Sequence, residues 1–295
     1  MVPSGRASIL ALVGALVALP ACERPPAPTA SSAAPKGAAA PPGPSTTTST
    51  GAPGRPANDP AGIAPRAALP AGVVEGEAAG VHYLERATGG GKLEDRLPMV
   101  VMIHGLGDRP ESFLDALAGV KTPARLILPR GLEAHGGGWA WFPYRREDPQ
   151  VMVEGIRNAT GRISGALTEL SARRPTAGRP IVSGFSQGGM ISFALAALFP
   201  AAVSAAYPLS GMLPPPLRPS APARGPTPPV VAFHGDADKM VPIEPSRESI
   251  AALKAQGWSA ELRESPGTGH TVTQETRQAL TALVDAAAAR AAAAP

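Results

Sequence analysis

The chain has 295 residues, with 27 Lys and Arg against 23 Asp and Glu, and its net charge of +4 is spread over pairs such as Arg145-Arg146 and Arg173-Arg174 rather than gathered in a run. Aromatic residues make up only 4% of it, so the basic, aromatic-interleaved surface that nucleic-acid binding requires is not expected. Cys22 is the single cysteine, which excludes a disulfide framework, a thiolate metal cluster and a cysteine nucleophile in the folded part.

Residues 1–22 read as an export signal: Arg6 supplies a short positive region and an apolar run follows from Ala7 to Leu19. Such a run, about 13 residues, is too short to span a bilayer comfortably. It ends in Leu19-Pro20-Ala21-Cys22, which resembles the lipobox of bacterial lipoproteins, although Pro20 is an uncommon occupant. The resemblance implies lipidation at Cys22 and a membrane partner through an N-terminal lipid anchor in the bacterial cell envelope, periplasmic or on the outer surface. Residues 23–72 are dominated by Pro, Ala, Ser, Thr and Gly and hold almost no large apolar side chains. A segment of this kind cannot bury enough surface to offset its ordering entropy, so it is expected to be a disordered tether. Its reach would be ~40 Å as a flexible coil and up to about 150 Å as extended polyproline II.

From Val73 to residue 295 the pattern is that of one folded domain in which short apolar strands alternate with helical stretches, which predicts an α/β fold. Strands are expected at Val81–Leu84, Leu97–Ile103, Ala124–Leu128, Pro180–Ser183, Ala202–Pro208, Pro229–Phe233 and Ser259–Glu264. Their near-continuous apolar character suits a mostly parallel central sheet flanked by helices on both faces. Helices are expected at Pro110–Gly119, Val151–Arg173, Gly189–Phe199, Glu244–Gln256 and Val272–Ala293.

Ligands of parallel sheets sit beyond the carboxyl ends of the strands, so the residues following each strand carry the chemical signal. Gly184-Phe185-Ser186-Gln187-Gly188-Gly189 is a G-x-S-x-G turn between a strand and a helix, the setting that lifts a serine hydroxyl above a sheet. It aims the backbone N–H of Gln187 at the place where an oxyanion would form. A serine nucleophile needs a base and an orienting carboxylate, which on such a fold follow in the order Ser, Asp or Glu, His. His82, His104 and His135 precede Ser186, and His234 precedes the best acid candidates, which leaves His270 as the base. The acid is Asp236 or Asp238; both lie in one loop after one strand, and periodicity does not separate them.

Five blocks, His104-Gly105-Leu106-Gly107-Asp108, Gly184 to Gly189, Ser210-Gly211, His234 to Pro242 and Gly269-His270, together resemble the phospholipase/carboxylesterase group of α/β-hydrolases, which includes acyl-protein thioesterases. The resemblance implies the α/β-hydrolase fold, Ser186 as nucleophile, Asp238 as the acid of a triad and His270 as general base. It further implies an oxyanion hole from the N–H groups of Leu106 and Gln187, with His104 bracing its loop and Asp236 structuring its own. The segment Gly136 to Pro143 also resembles the family, which often carries a Trp-Phe-like pair near the pocket, so the resemblance implies that Trp141 and Phe142 line it, and the Pro-rich insertion Leu213 to Pro229 could shape or cover it.

The expected activity is a serine hydrolase acting on small carboxylic esters, thioesters or lysophospholipids through an acyl-enzyme. No metal or organic cofactor is implied, since no H-E-x-x-H or similar ligand spacing occurs. A non-catalytic surface lipoprotein using the same fold for binding is the alternative. A dienelactone-type hydrolase, which would usually present cysteine at the elbow, is disfavoured by Ser186.

Overall fold

A computed structural model describes residues 68–143 and 148–294. The expected signal segment with Cys22, and all but the end of the expected tether, lie outside the described residues. No helix among the described residues is long and apolar enough to cross a membrane.

The strands are β1 (Val73–Ala78), β2 (Val81–Thr88), β3 (Leu97–Ile103), β4 (Ala124–Pro129), β5 (Glu133–His135), β6 (Gly138–Ala140), β7 (Thr176–Phe185), β8 (Ala205–Leu209), β9 (Val230–Gly235) and β10 (Ala260–Ser265). Eight of them form one sheet in the order β1-β2-β4-β3-β7-β8-β9-β10, while β5 and β6 make a separate hairpin. Every neighbouring pair from β4 to β10 is parallel, and the two pairs at the β1 edge are antiparallel. The mostly parallel sheet expected from the apolar strands is therefore present.

Both faces of the sheet are buried. In β3, Met99, Val101 and Ile103 enter one core, together with Ile156, Ile163 and Leu167 of helix α1 (Pro149–Arg173), the side chains of α2 (Gln187–Leu198), and Ile250 and Leu253 of α3 (Glu244–Ala255). Val100 and Met102 alternate onto the other face, against Leu280 and Val284 of α4 (Gln274–Ala292). Two-sided burial is the physical reason that these strands read as continuous apolar runs. The helix starts follow capping chemistry: Asp148 Oδ1 accepts the N–H groups of Gln150 and Val151, each at 3.2 Å, and Thr273 Oγ1 accepts that of Thr276 at 3.1 Å.

Residues Pro110–Gly119 depart from the sequence expectation of a helix. Only Pro110–Phe113 forms a 3₁₀ turn, and the chain continues through bonds from alternate N–H groups to the carbonyl three residues back, as in Ala116 to Phe113 and Val120 to Leu117. Leu114, Leu117 and Val120 are the buried residues, at a spacing of three that matches the 3₁₀ repeat rather than the α repeat. Two elements were not anticipated, the edge strand β1 and the β5–β6 hairpin; neither carries a long apolar run.

Two polar devices sit inside this apolar frame. Glu85 and Arg125 are fully buried and paired across the antiparallel β2–β4 seam; Arg174 also donates to Glu85 Oε2 at 2.8 Å, and Arg125 Nη2 donates to the Leu93 and Asp95 carbonyls. His104, fully buried at the end of β3, donates from Nδ1 to the Gly105 carbonyl at 2.7 Å and accepts the Gly131 N–H on Nε2 at 2.9 Å. This assigns the neutral tautomer, because a proton on Nε2 would face another N–H. Burial pushes the imidazole below its ordinary 6.5, against the smaller opposing pull of the Gly105 carbonyl, Asp108 and Glu111.

Two outcomes follow. Glu85→Ala leaves the Arg125 guanidinium buried without its carboxylate and should destabilise the domain by about 3–5 kcal/mol, read as a lower urea midpoint. For His104 the unfolded chain takes up a proton near pH 6.5 that the folded chain refuses, so stability is complete above that value and falls as pH drops toward the folded-state value. Thermal denaturation between about pH 7.5 and 5 should show this decline, and His104→Gln should make it shallower, the remainder coming from the second buried imidazole, His234, which burial also pushes below 6.5.

Candidate active site

The turn between β7 and α2 forces Ser186 into a left-handed conformation, φ 56° and ψ −113°, that a side-chain-bearing residue adopts only under constraint. The constraint is supplied by hydrogen bonds: Ser186 N donates to the Leu209 carbonyl of β8 at 2.9 Å, and Met190 N donates to the Ser186 carbonyl at 3.0 Å. Backbone crowding leaves no alternative. A Cβ at Gly184 would lie 2.6 Å from both the Ile103 and Gly188 carbonyl oxygens, and one at Gly188 would fall on the Ile103 carbonyl.

Ser186, His270 and Asp238 are brought into one hydrogen-bonded line. His270 Nε2 is 3.0 Å from Ser186 Oγ, and His270 Nδ1 is 2.6 Å from Asp238 Oδ2. A carboxylate only accepts, so Nδ1 carries the proton and Nε2 is left to accept from the serine hydroxyl. The ring also rests on Phe185, with centroids 4.7 Å apart. Asp238 Oδ1 accepts the N–H groups of Met240 and Val241, each at 2.9 Å, and its side chain is fully buried.

The structure separates the two acids that periodicity could not. Asp236 is exposed and does not meet His270; its Oδ1 accepts the Gly267 N–H at 2.6 Å and so ties its own loop to the loop that carries His270. Ala237 N donates to the Thr268 carbonyl at 3.0 Å in the same seam, and Gly235 has no Cβ because one would collide with the Thr268 and Gly269 backbone.

A cleft of about 210 Å³ opens beside Ser186, lined mainly by Leu106, Phe185, Gln187, Met190, Met240 and His270. Leu106 and Met240 stand exposed on it, and they are two of the three large apolar side chains that the described residues leave open to solvent. Among the described residues, the amide N–H groups of Leu106 and Gln187 donate to no protein acceptor. A larger cavity of about 550 Å³ lies beyond Arg109 and Trp139 and touches none of Ser186, Asp238 and His270.

Trp141 and Phe142 do not line the cleft, contrary to the sequence expectation. Both are buried to within 2% of full burial and belong to the core against α1 and α2. The Gln187 side chain holds their backbone, its Oε1 accepting from Trp141 N at 2.9 Å and its Nε2 donating to the Phe142 carbonyl at 2.7 Å. Trp141 Nε1 donates in turn to the His104 carbonyl at 2.9 Å, so these aromatics brace the elbow and the His104 loop from below. Nor does any residue of Leu213 to Pro229 line the cleft: Leu213 and Leu217 are buried in the core and residues 220–226 are solvent-exposed. Sequence reasoning missed the Gln187 clamp and the lining roles of Phe185, Met190 and Met240. For Phe185 and Met240 the signal was position, since each lies inside a quoted motif block; for the Gln187 side chain there was none.

The chain was compared with known proteins. NocK of Nocardia uniformis subsp. tsuyamanensis is 28% identical over 171 residues, 55% of this chain but only 46% of its own length, so the chain spans about half of that relative. A protein of Oryza sativa subsp. japonica named as a probable carboxylesterase is 30% identical over 200 residues, 61% of this chain and 83% of its own. Among solved structures, esterase PE8 superposes with a TM-score of 0.57 at 28% identity, over 65% of this chain and 94% of that one. The family model described as phospholipase/carboxylesterase matches residues 92–287, a span that contains β3, the elbow, Asp238 and His270. On this match, and with a parallel sheet flanked by helices carrying the serine at its elbow, the chain belongs to the phospholipase/carboxylesterase family of α/β-hydrolases.

Proposed function

We propose that the protein is a serine hydrolase of carboxylic esters, with Ser186 as nucleophile, His270 as general base and acid, and Asp238 as the residue that fixes the imidazole. The observation that carries this reading is the unbroken line from Ser186 Oγ to His270 at 3.0 Å and from His270 to Asp238 at 2.6 Å, at the rim of an apolar cleft. Family membership supports the reaction class.

In this mechanism Ser186 Oγ attacks the acyl carbonyl as its proton passes to His270 Nε2. The carbonyl electron pair moves onto oxygen, where the N–H groups of Leu106 and Gln187 receive it; each such donor is worth roughly 3 to 4 kcal/mol of barrier. Collapse expels the alcohol, which takes the proton from Nε2 and leaves an acyl-Ser186 ester. Water then attacks the ester as its proton passes to Nε2, and collapse breaks the bond to Ser186 Oγ, which takes that proton back from Nε2 and releases the carboxylic acid. The Asp238 carboxylate stabilises the imidazolium in both halves and holds the tautomer. No step draws on a metal or an organic cofactor.

The cleft walls, Leu106, Phe185, Met190 and Met240, suit an apolar acyl group. Thioesters and lysophospholipids present the same carbonyl to the same serine and belong to the proposed substrate class. The N-terminal sequence supports an exported enzyme anchored through lipidated Cys22 and carried clear of the membrane by residues 23–72.

Hydrolysis of p-nitrophenyl esters from acetate to palmitate should lose about 10⁴-fold or more in kcat with Ser186→Ala and about 10⁴-fold with Asp238→Asn. Asp236→Asn should keep most of its activity. If folded wild-type protein cleaves no ester or thioester, and a fluorophosphonate leaves Ser186 unlabelled, the reading is wrong and a binding role replaces it. In a bacterial host, Cys22→Ser should move the protein from the membrane pellet to the soluble fraction and abolish palmitate labelling; retention with the membranes would refute the anchor.

A further inference from the structure

The catalytic reading leaves one buried imidazole unused. His234, the penultimate residue of β9, follows Val230 and Ala232 onto the core face, and its side chain is fully buried. Its Nε2 lies 2.8 Å from the Val241 carbonyl and 3.4 Å from Asp238 Oδ2. Both neighbours only accept, so Nε2 carries a proton. Nδ1 makes no hydrogen bond, and burial pushes the ring below its ordinary pKa against the pull of the Val241 carbonyl, Asp238 and the Gly211 carbonyl. The ring is therefore neutral, with a single N–H directed at this one place.

The contacts close a cycle. Val241 N donates to Asp238 Oδ1, the Val241 carbonyl accepts from His234 Nε2, and the same N–H faces Asp238 Oδ2. The two backbone donors to the carboxylate, Met240 N and Val241 N, both go to Oδ1. The turn that presents Oδ2 to His270 is thus tied, through the Val241 carbonyl, to the buried His234 ring, which packs 3.4 Å from Oδ2.

Resting on the assignment of Ser186, His270 and Asp238, we propose that His234 is a positioning residue, which fixes the Asp238 carboxylate and the 238–241 turn so that Oδ2 stays aimed at His270 Nδ1. It touches neither substrate nor the reacting atoms, and it acts through Asp238. Its loss should appear in the chemical step rather than in binding, since none of the cleft lining is His234.

The test is made on the full chain with His234→Ala, His234→Gln and His234→Asn. Glutamine can place an N–H near the Nε2 position, and asparagine is too short. Folded His234→Ala should lose about ten- to a hundredfold in kcat with KM within about twofold, and His234→Gln should recover most of it. Proton NMR supplies a readout independent of turnover: the low-field resonance of the His270 Nδ1–H, present in wild type and His234→Gln, should be lost or moved upfield in His234→Ala. If the alanine variant does not fold, asparagine takes its place in both measurements. Unchanged kcat and resonance in the folded alanine or asparagine variant, or a change confined to KM, overturns the proposal. If wild type cleaves no ester, the hydrolase reading fails by itself, and the resonance still reports whether His234 holds Asp238.

Discussion

The structure depends on how closely the backbone of residues 184–188 approaches the end of β3. There is no space for a side chain at Gly184 or Gly188, because carbonyl oxygens of Ile103 and of the elbow itself occupy the sites where a Cβ would stand. This close approach lets Ser186 turn through a conformation that costs of order 1–3 kcal/mol and lets α2 begin at once, fully buried, against the sheet. It also places the His104-Gly105-Leu106 turn beside the serine, so that amides from two separate strand ends line one cleft. Sheet order then delivers the remaining partners, since β8, β9 and β10 continue in parallel from β7 and end on the same side.

Around this point the polar groups are arranged in support of one another. His104 joins β3 to the turn after β4, Trp141 bonds the His104 carbonyl, and Gln187 holds the backbone of Trp141 and Phe142. Each of these groups is buried, and each of these bonds satisfies a polar atom that would otherwise be stranded in an apolar core. The elbow is accordingly braced from beneath by residues that never meet a substrate.

Much of this was legible in the sequence, for identifiable reasons. Strands buried on both faces write themselves as apolar runs, and Leu97–Ile103 was located to the residue. The glycine-flanked serine announced its own turn, and chain order left one histidine. The choice between Asp236 and Asp238 was not available from pattern, because both follow β9 and differ only in where a carboxylate points once the loop is built. Trp141 and Phe142 were misread because the family resemblance puts an aromatic pair near the pocket, whereas here both side chains enter the core and their backbone is held by Gln187, 45 residues or more away in the chain. Pro110–Gly119 was misread because apolar residues three apart fit a 3₁₀ repeat as well as one face of an α-helix, and only tertiary packing decides.

The seam between the loop after β9 and the loop after β10 has a dynamic consequence. Asp236 to Gly267 and Ala237 to Thr268 are bonded across it, and the absence of a side chain at Gly235 lets the two backbones touch. Separating the loop that carries Asp238 from the loop that carries His270 therefore means breaking both of these bonds, which couples the two loops in local unfolding.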